Sequence, residues 1–251
     1  MREDTMTTID TGTRLADLVT AHPRLARELE RRGLDFCCGG DQTVDEACRA
    51  AGLDPATVAS ELAAVTAGAD DERAPWATMG PAELVDHIVD THHRFLWEEL
   101  PRAEALAEKV ARVHGARHPE LAEVRRLVGE LRTDMEQHLS KEERLLFPRI
   151  RELAGTGAMA SFPCGSLSSP ISVMLVEHDR AGELLARLRV VTDGYRTPPD
   201  ACASYAACYE SLAQIESDTH LHVHKENNLL FPAVLRLEEQ AADARSCRSP
   251  A

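Results

Sequence analysis

The sequence predicts an all-α protein, an antiparallel four-helix bundle with a small helical domain ahead of it. Three observations carry that expectation. The core must be built mainly from Leu, Ala and Val, because hydrophobic residues make up 43% of the 251-residue chain while aromatics make up only 4%. Together with abundant Glu and Arg, these residues favour helix. Period-two runs of β-branched and aromatic residues, which would mark strands, are scarce. Finally, one segment is written twice. His138-Leu-Ser-Lys-Glu142 leads to Leu146-Phe147-Pro148, and His222-Val-His-Lys-Glu226 leads to Leu230-Phe231-Pro232. In each, Glu follows His at i+4, so both project from one helix face.

The elements follow in order. Residues 11–66 form the small domain. A helical stretch from Arg14 to Gly33 is broken near Pro23, with Gly33 as its C-terminal signal. A tight turn, Asp35-Phe36-Cys37-Cys38-Gly39-Gly40, comes next. Thr43-Val-Asp-Glu46 fits a capping box, and Asp54-Pro55 opens a further helix with Pro at its first position. Residues 67–79 read as a linker. The bundle spans 80–240. Its four long helices run from about Pro81 to Val113, from Pro119 to Arg151, from Ser169-Pro170 (with Ser169 as cap) to Asp193, and from Asp200 to Glu239. Pro101, Pro148 and Pro232 should kink their helices. A Gly- and Ser-rich loop, 155–169, joins the halves, and Pro198-Pro199 separates the last two helices. Residues 241–251 read as a flexible tail.

Charge and cysteine usage narrow the function. A net charge of −14 repels phosphate backbones and anionic lipid, so neither nucleic acid nor membrane is an expected partner. No apolar run reaches membrane-spanning length. Seven Cys at irregular spacing do not suggest a secreted disulfide framework, and the cytoplasm is the expected compartment.

The repeat extends to further histidines. His93 lies 45 residues before His138, and His178 lies 44 before His222. Each half is thus one His-bearing helix followed by one His-x-x-x-Glu helix. Stacking two such hairpins brings six side chains together: His93, His138, Glu142, His178, His222 and Glu226. A single His-x-x-x-Glu is usually a solvated helical pair. Four His and two Glu in register twice point instead to a two-metal site, each metal with two His and both carboxylates bridging. Imidazole with carboxylate suits Fe, Zn, Mn or Co, and iron is favoured by analogy with other bundle sites. Other histidines are set apart. His92 points about 100° away from His93. His87 reads as a surface, core or supporting residue, and His220 and His224 only flank His222. His114 and His118 are expected to be solvated at a helix junction, and His22 to lie at the surface. Glu177 reads as a solvated or supporting acid.

Asp35-Phe-Cys-Cys-Gly-Gly40, Pro170-Ile-Ser-Val-Met174, Glu177-His178-Asp179 and Glu226-Asn-Asn-Leu-Leu-Phe-Pro232 together resemble the di-iron family that repairs iron–sulfur clusters, over nearly the whole chain. The resemblance implies a haemerythrin-like bundle. It implies two non-haem iron ions, oxo- and carboxylate-bridged, with the six residues above as ligands. It also implies repair of clusters after oxidative or nitrosative damage, in the setting of a stress response, with damaged iron–sulfur proteins as partners. The chain departs from the oxygen-carrying haemerythrins, whose third helix bears His-x-x-x-His. Here Gly182 stands four residues after His178 and cannot ligate, which leaves a position open for water, an oxo bridge or nitric oxide.

Cys37 and Cys38, followed by two glycines, read equally as accessible thiols of lowered pKa or as part of a buried turn, and the resemblance implies the first, a thiol relay. Cys48, Cys202 and Cys208 read as small core residues, and Cys164 and Cys247 have no partner motif. The leading expectation is iron donation to a damaged cluster. Alternatives are nitric oxide reduction at the di-iron site and a haemerythrin-like sensor of oxygen or nitric oxide. A homodimer through the cysteine turn is a further expectation.

Overall fold

The computed structural model describes residues 8–66, 74–157 and 166–246. Cys164, Cys247, most of the 155–169 loop and much of the expected linker and tail lie outside these residues. The described chain is helical, and its nearest approach to a strand is one isolated bridge between Arg14 and Thr43.

The N-terminal unit comprises α1 (Leu15–Ala21), α2 (Leu25–Arg31), α3 (Val44–Ala50) and α4 (Pro55–Thr66). Local chemistry sets its boundaries. Gly33 closes α2 with φ +67°, a left-handed conformation that a residue with a Cβ adopts only with strain. The capping box at α3 is formed: Glu46 N–H donates to Thr43 Oγ1 at 3.2 Å, and Thr43 N–H donates to the Glu46 carboxylate at 2.9 Å. Asp54 accepts from the Thr57 amide at the head of α4.

The bundle contains α5 (Pro81–Ile88), α6 (Arg94–His114), α7 (Leu121–Lys141), α8 (Phe147–Thr156), α9 (Ser168–Val191), α10 (Ala203–Lys225) and α11 (Phe231–Ser246). Helix α6 packs against α7 and α10, and α7 packs against α9. No helix among the described residues is long and apolar enough to cross a membrane.

Three of the four long rods are interrupted by a π-helical turn: Val89–His93, Glu142–Leu146 and Glu226–Leu230. In each, the residue after the turn bonds five residues back. Arg94 N–H reaches the Val89 carbonyl, Phe147 the Glu142 carbonyl, and Phe231 the Glu226 carbonyl. Pro148 and Pro232 follow directly, lacking the N–H that regular winding would use. The irregularity expected from these prolines is therefore a widened turn on the ligand Glu itself. Pro101, by contrast, lies inside an unbroken α6, and the disturbance of that rod falls earlier, at Val89–His93.

Two further boundaries differ from expectation. Helix α9 begins at Ser168 with Leu167 as its cap residue, so Ser169 is already inside it. The Glu238 carboxylate of α11 accepts the Leu167 N–H at 3.0 Å, the bond that the Glu of a capping box would make. Helix α11 continues to Ser246, past the expected end of the fourth rod.

The apolar interior falls into three parts. One fills the bundle from Leu96, Leu131 and Met135 down to Leu188 and Tyr205. A second lies beyond the π turns, around Ile88, Phe147, Ile171, Met174 and Phe231. The polar ligand layer separates these two slabs. The third belongs to the N-terminal unit and takes in Val223 of α10. That unit is seated on the ligand-bearing end of α10. His220 Nδ1 lies 2.9 Å from Glu30, Thr20 Oγ1 lies 3.2 Å from His224 Nε2, and Phe36 meets both rings edge-on.

Candidate metal centre

The six predicted side chains come together between the two apolar slabs. His93 leaves the last position of its π turn, His138 and His222 leave the ends of α7 and α10, and His178 leaves the middle of α9. Glu142 and Glu226 open the other two π turns. All six are essentially removed from solvent.

They fall into two groups that share both carboxylates. His93, His222, Glu142 and Glu226 offer ligand atoms within 4.8 Å of one another, and so do His138, His178, Glu142 and Glu226. His93 Nε2 and His138 Nε2 lie 3.4 and 3.3 Å from Glu142 Oε2. His178 Nε2 lies 3.0 Å from Glu226 Oε2, and His222 Nε2 3.1 Å from Glu226 Oε1. The Nε2 atoms of His138 and His178 approach to 3.2 Å.

The outer ring nitrogens decide which atoms point inward as lone pairs. His93 Nδ1 faces the Glu143 carboxylate at 3.0 Å, and His138 Nδ1 faces Glu177 at 3.0 Å. His178 Nδ1 faces the Asn227 amide oxygen at 2.7 Å. Each partner can only accept, so in the neutral imidazoles the proton is on Nδ1 and Nε2 is bare. Three bare nitrogens then confront two carboxylates in a sealed pocket. Both oxygens of each carboxylate, with Nε2 of His93 and of His222, have no hydrogen-bond partner there. Burying so many acceptors together is costly unless cations lie among them. The donor set therefore fits hard or borderline divalent and trivalent metals, with outer carboxylates orienting the imidazoles as metal-binding histidines require.

Protonation shows the same demand for positive charge. Burial by itself would lower the pKa of His138, but Glu142, Glu177 and Glu226 raise it to about 10. Burial opposes ionisation of both inner carboxylates, yet the surrounding imidazoles draw Glu142 below its ordinary value and Glu226 well below. Glu177, bonded to His138 and paired with Lys141, falls to about 2.

Several residues around the centre are partners that the sequence left open, as with Glu177 and His87, or did not mark. Glu143 holds His93 and accepts from the Trp97 indole at 2.8 Å. Of the two readings of Glu177 the supporting one holds: it is half-buried and bound to His138. His92 does point away from the ligand layer, yet it is buried. It bonds Asp218 at 2.8 Å and Lys225 at 2.6 Å, and stacks on the His222 ring with centroids 5.6 Å apart. His87 reaches the same Lys225 ammonium at 2.9 Å. The i+5 position could have suggested Glu143 and Asn227, since each directly follows the Glu of a His-x-x-x-Glu pair. Lys225 carried no such signal, because a Lys beside a ligand is usually a surface residue.

The cysteine turn lies against this centre. Asn227 spans the two: its amide oxygen takes His178 Nδ1, and its amide nitrogen faces the Cys37 carbonyl at 3.4 Å and Cys38 Sγ at 3.9 Å. Asn228 donates to the Cys37 carbonyl at 3.0 Å. Gly40 allows this approach, since a Cβ there would lie 2.6 Å from the Phe36 carbonyl and 2.8 Å from Asn228 Oδ1. Asp35 Oδ1 accepts from the amides of Cys37 and Cys38 and from the Cys37 thiol, and Asp35, Cys37 and Cys38 form a third group able to hold an ion.

Two expectations about the thiols need correction. Cys37 is buried, and its pKa is pushed well up, by the hydrogen bond with Cys38, by burial and by Asp35; it is not a low-pKa nucleophile. Cys202 is an exposed residue at the head of α10, while Cys48 and Cys208 are buried as expected. His114, expected in solvent, is 4% exposed. Cys38, half-buried, opens onto a cavity of about 540 Å³. Its walls include Asp35, Asp179, Gly182, Glu216 and His220.

Comparison with known proteins matches these features. Residues 84–234 match the Hemerythrin HHE cation binding domain, and residues 11–66 match ScdA_N, a domain of unknown function (DUF542). The chain is 35% identical to the iron-sulfur cluster repair protein YtfE of Enterobacter sp. (strain 638), over 88% of this chain and 96% of the relative. It is 37% identical to YtfE of Musicola paradisiaca (strain Ech703), over 89% and 96%. It is 34% identical to a probable iron-sulfur cluster repair protein of Haemophilus influenzae, over 88% and 96%. With a cation-binding hemerythrin bundle behind an ScdA_N unit, and this identity along nearly its whole length, the chain belongs to the YtfE family of iron-sulfur cluster repair proteins.

Proposed function

We propose that this protein holds two non-haem iron ions and restores damaged iron–sulfur clusters by donating iron. The observation that carries the reading is the sharing of Glu142 and Glu226 by two His pairs. His93 with His222 would hold one ion and His138 with His178 the other, both carboxylates and an oxo group bridging. Bound there, iron supplies redox chemistry and open coordination positions. The protein's own residues do the rest. Glu143, Glu177 and Asn227 keep Nδ1 protonated and so aim Nε2 inward. The apolar slabs exclude bulk water. Gly182, four residues after His178, offers no ligating side chain, and it lines the cavity beside Cys37 and Cys38.

Cys37 and Cys38 act in this reading as the relay that receives iron on its way out. Iron is the cargo at this step, and a cation at Asp35 would displace the Cys37 proton that burial otherwise retains. The acidic wall of the adjoining cavity favours a cation over an anion. The setting is the cytoplasm, where thiols stay reduced, and the five described cysteines are free.

Iron analysis with Mössbauer spectroscopy of anaerobically purified protein tests the centre. Two coupled ions per chain support it, and a single ion or none removes it. The C37A/C38A double variant tests the relay: it should keep its iron and lose repair of a damaged cluster enzyme, whereas full repair by that variant removes the relay. The lack of a ligating side chain at Gly182, four residues after His178, favours a second reading, nitric oxide reduction. Single-turnover formation of nitrous oxide by the diferrous protein would establish that reading, and stable nitrosyl binding without product would eliminate it.

A further inference from the structure

At the end of the bundle away from the ligand layer, a second thiol has a built environment. Cys202 is the exposed cap residue of α10. Its Sγ lies 3.2 Å from Nε2 of His114, the last residue of α6, which is 4% exposed and fixed edge-on against the Tyr205 ring. Arg117 Nη2 lies 3.4 Å from His114 Nδ1. A guanidinium only donates, so Nδ1 must carry the lone pair and the His114 proton resides on Nε2, directed at the sulfur. The donor to the thiolate is thus set by the chain itself.

The surroundings favour negative charge on sulfur. Lys109 reaches across to Ser204 Oγ at 2.9 Å, and Arg117 pairs with Asp200 at 3.4 Å. The acids nearby are occupied: Asp200 and Glu120 both bind His118, at 3.0 and 3.1 Å. Backbone amides at the start of α10, that of Tyr205 foremost, hold the Cys202 thiol below its ordinary pKa. The contrast with Cys37, buried and pushed up, is complete.

We propose that Cys202, with His114 as its positioning residue, is a thiol modification site that takes a low-molecular-weight anionic disulfide of the glutathione type. The Cys202 thiolate attacks one sulfur of that disulfide. A new S–S bond joins Cys202 to one half, the original S–S bond breaks, and the other half leaves as a thiolate that takes a proton from solvent. The disulfide is the oxidant, and Cys202 is oxidised. Lys109, held at the head of α10 by Ser204, is the cation that meets the carboxylates of such a molecule.

The test treats the full-length protein with oxidised glutathione at neutral pH and maps the adduct by mass spectrometry. The first mixed disulfide should form on Cys202, and iron content should be unchanged in C202S. In H114Q the rate should fall about three- to tenfold, because a weaker thiolate donor raises the thiol pKa while partly restoring nucleophilicity. The midpoint of the pH–rate profile for alkylation at Cys202 should rise in the same variant. R117A, at a largely solvent-exposed side chain, should shift that midpoint in the same direction and keeps the test open if H114Q does not fold. Modification first at another cysteine overturns the proposal. So do wild-type rates with an unmoved midpoint in the folded variants.

Discussion

In the first hairpin of the bundle the outer nitrogens of His93 and His138 face carboxylates, Glu143 and Glu177. In the second, that of His178 faces the amide oxygen of Asn227, and that of His222 has no partner. Elsewhere the halves agree closely. Phe147 stacks on His93 and Phe231 on His178, with centroids 5.3 and 6.0 Å apart. The difference teaches what the second half gave up and gained. An amide is a weaker orienting partner than a carboxylate, but its nitrogen is free to bond elsewhere. Asn227 and Asn228 use theirs to hold the cysteine turn, which the matching residues of the first half, Glu143 and Arg144, could not do in the same way. The duplication is kept in the buried His/Glu layer and lost where the N-terminal unit docks.

The comparison can be broken most sharply at the shared carboxylates. Because each serves both groups, Glu142→Ala and Glu226→Ala should each remove both ions together, read by iron analysis; retention of one ion by either variant would show that the groups are independent. A smaller effect is expected one layer out. Glu143→Gln and Glu177→Gln should weaken metal binding by about 10- to 100-fold in chelator competition. Asn227→Ala should fall at the low end of that range, and it alone should speed labelling of Cys37 by a thiol reagent. Equal labelling in all three variants would mean that the second half does not tether the turn. Gly40→Ala is milder for the metal: iron stays, while the clash with Phe36 and Asn228 costs about 1–3 kcal/mol of stability in denaturant unfolding and exposes Cys37.

The smallest effect is a pH dependence. In metal-free protein His138 has its pKa raised from 6.5 to about 10, so its contribution is fully present below pH 6.5 and is lost as pH rises through 10. Metal-loaded protein binds His138 deprotonated and lacks this loss. Lys225 works the other way. Burial depresses it to about 8, so the folded state gains stability as pH rises through the window between that value and 10.5, with metal or without. The difference between the Tm–pH curves of the two forms therefore isolates the ligand layer. It should widen from pH 7 to 10, and parallel curves would contradict the assignment.

Much of this was legible in the chain. The i, i+4 pairs and their matched Leu-Phe-Pro tails announced the helices that meet in the buried His/Glu layer, because packing alone does not write such a spacing twice. Helix starts written in local chemistry, such as Thr43 to Glu46, were readable for the same reason. Ser169 misled because a distant carboxylate, Glu238, caps the helix instead. Cys202 and His114 misled because burial at a helix junction depends on how two rods meet, which no local pattern encodes. The buried Lys225 was invisible too, since its partners His87 and His92 lie far from it in sequence.

The widened turns carry a consequence for chain length. Each lets one surplus residue pass without altering the faces of the rods on either side. Wound regularly, those five residues would swing everything beyond them by about 100°, carrying Phe147 and Phe231 off the histidines they cover. Spacing between Glu142 and Phe147, and between Glu226 and Phe231, is thus as strict a requirement as the ligands themselves: a single added or missing codon there would leave every ligand letter in place and still misalign the assembly.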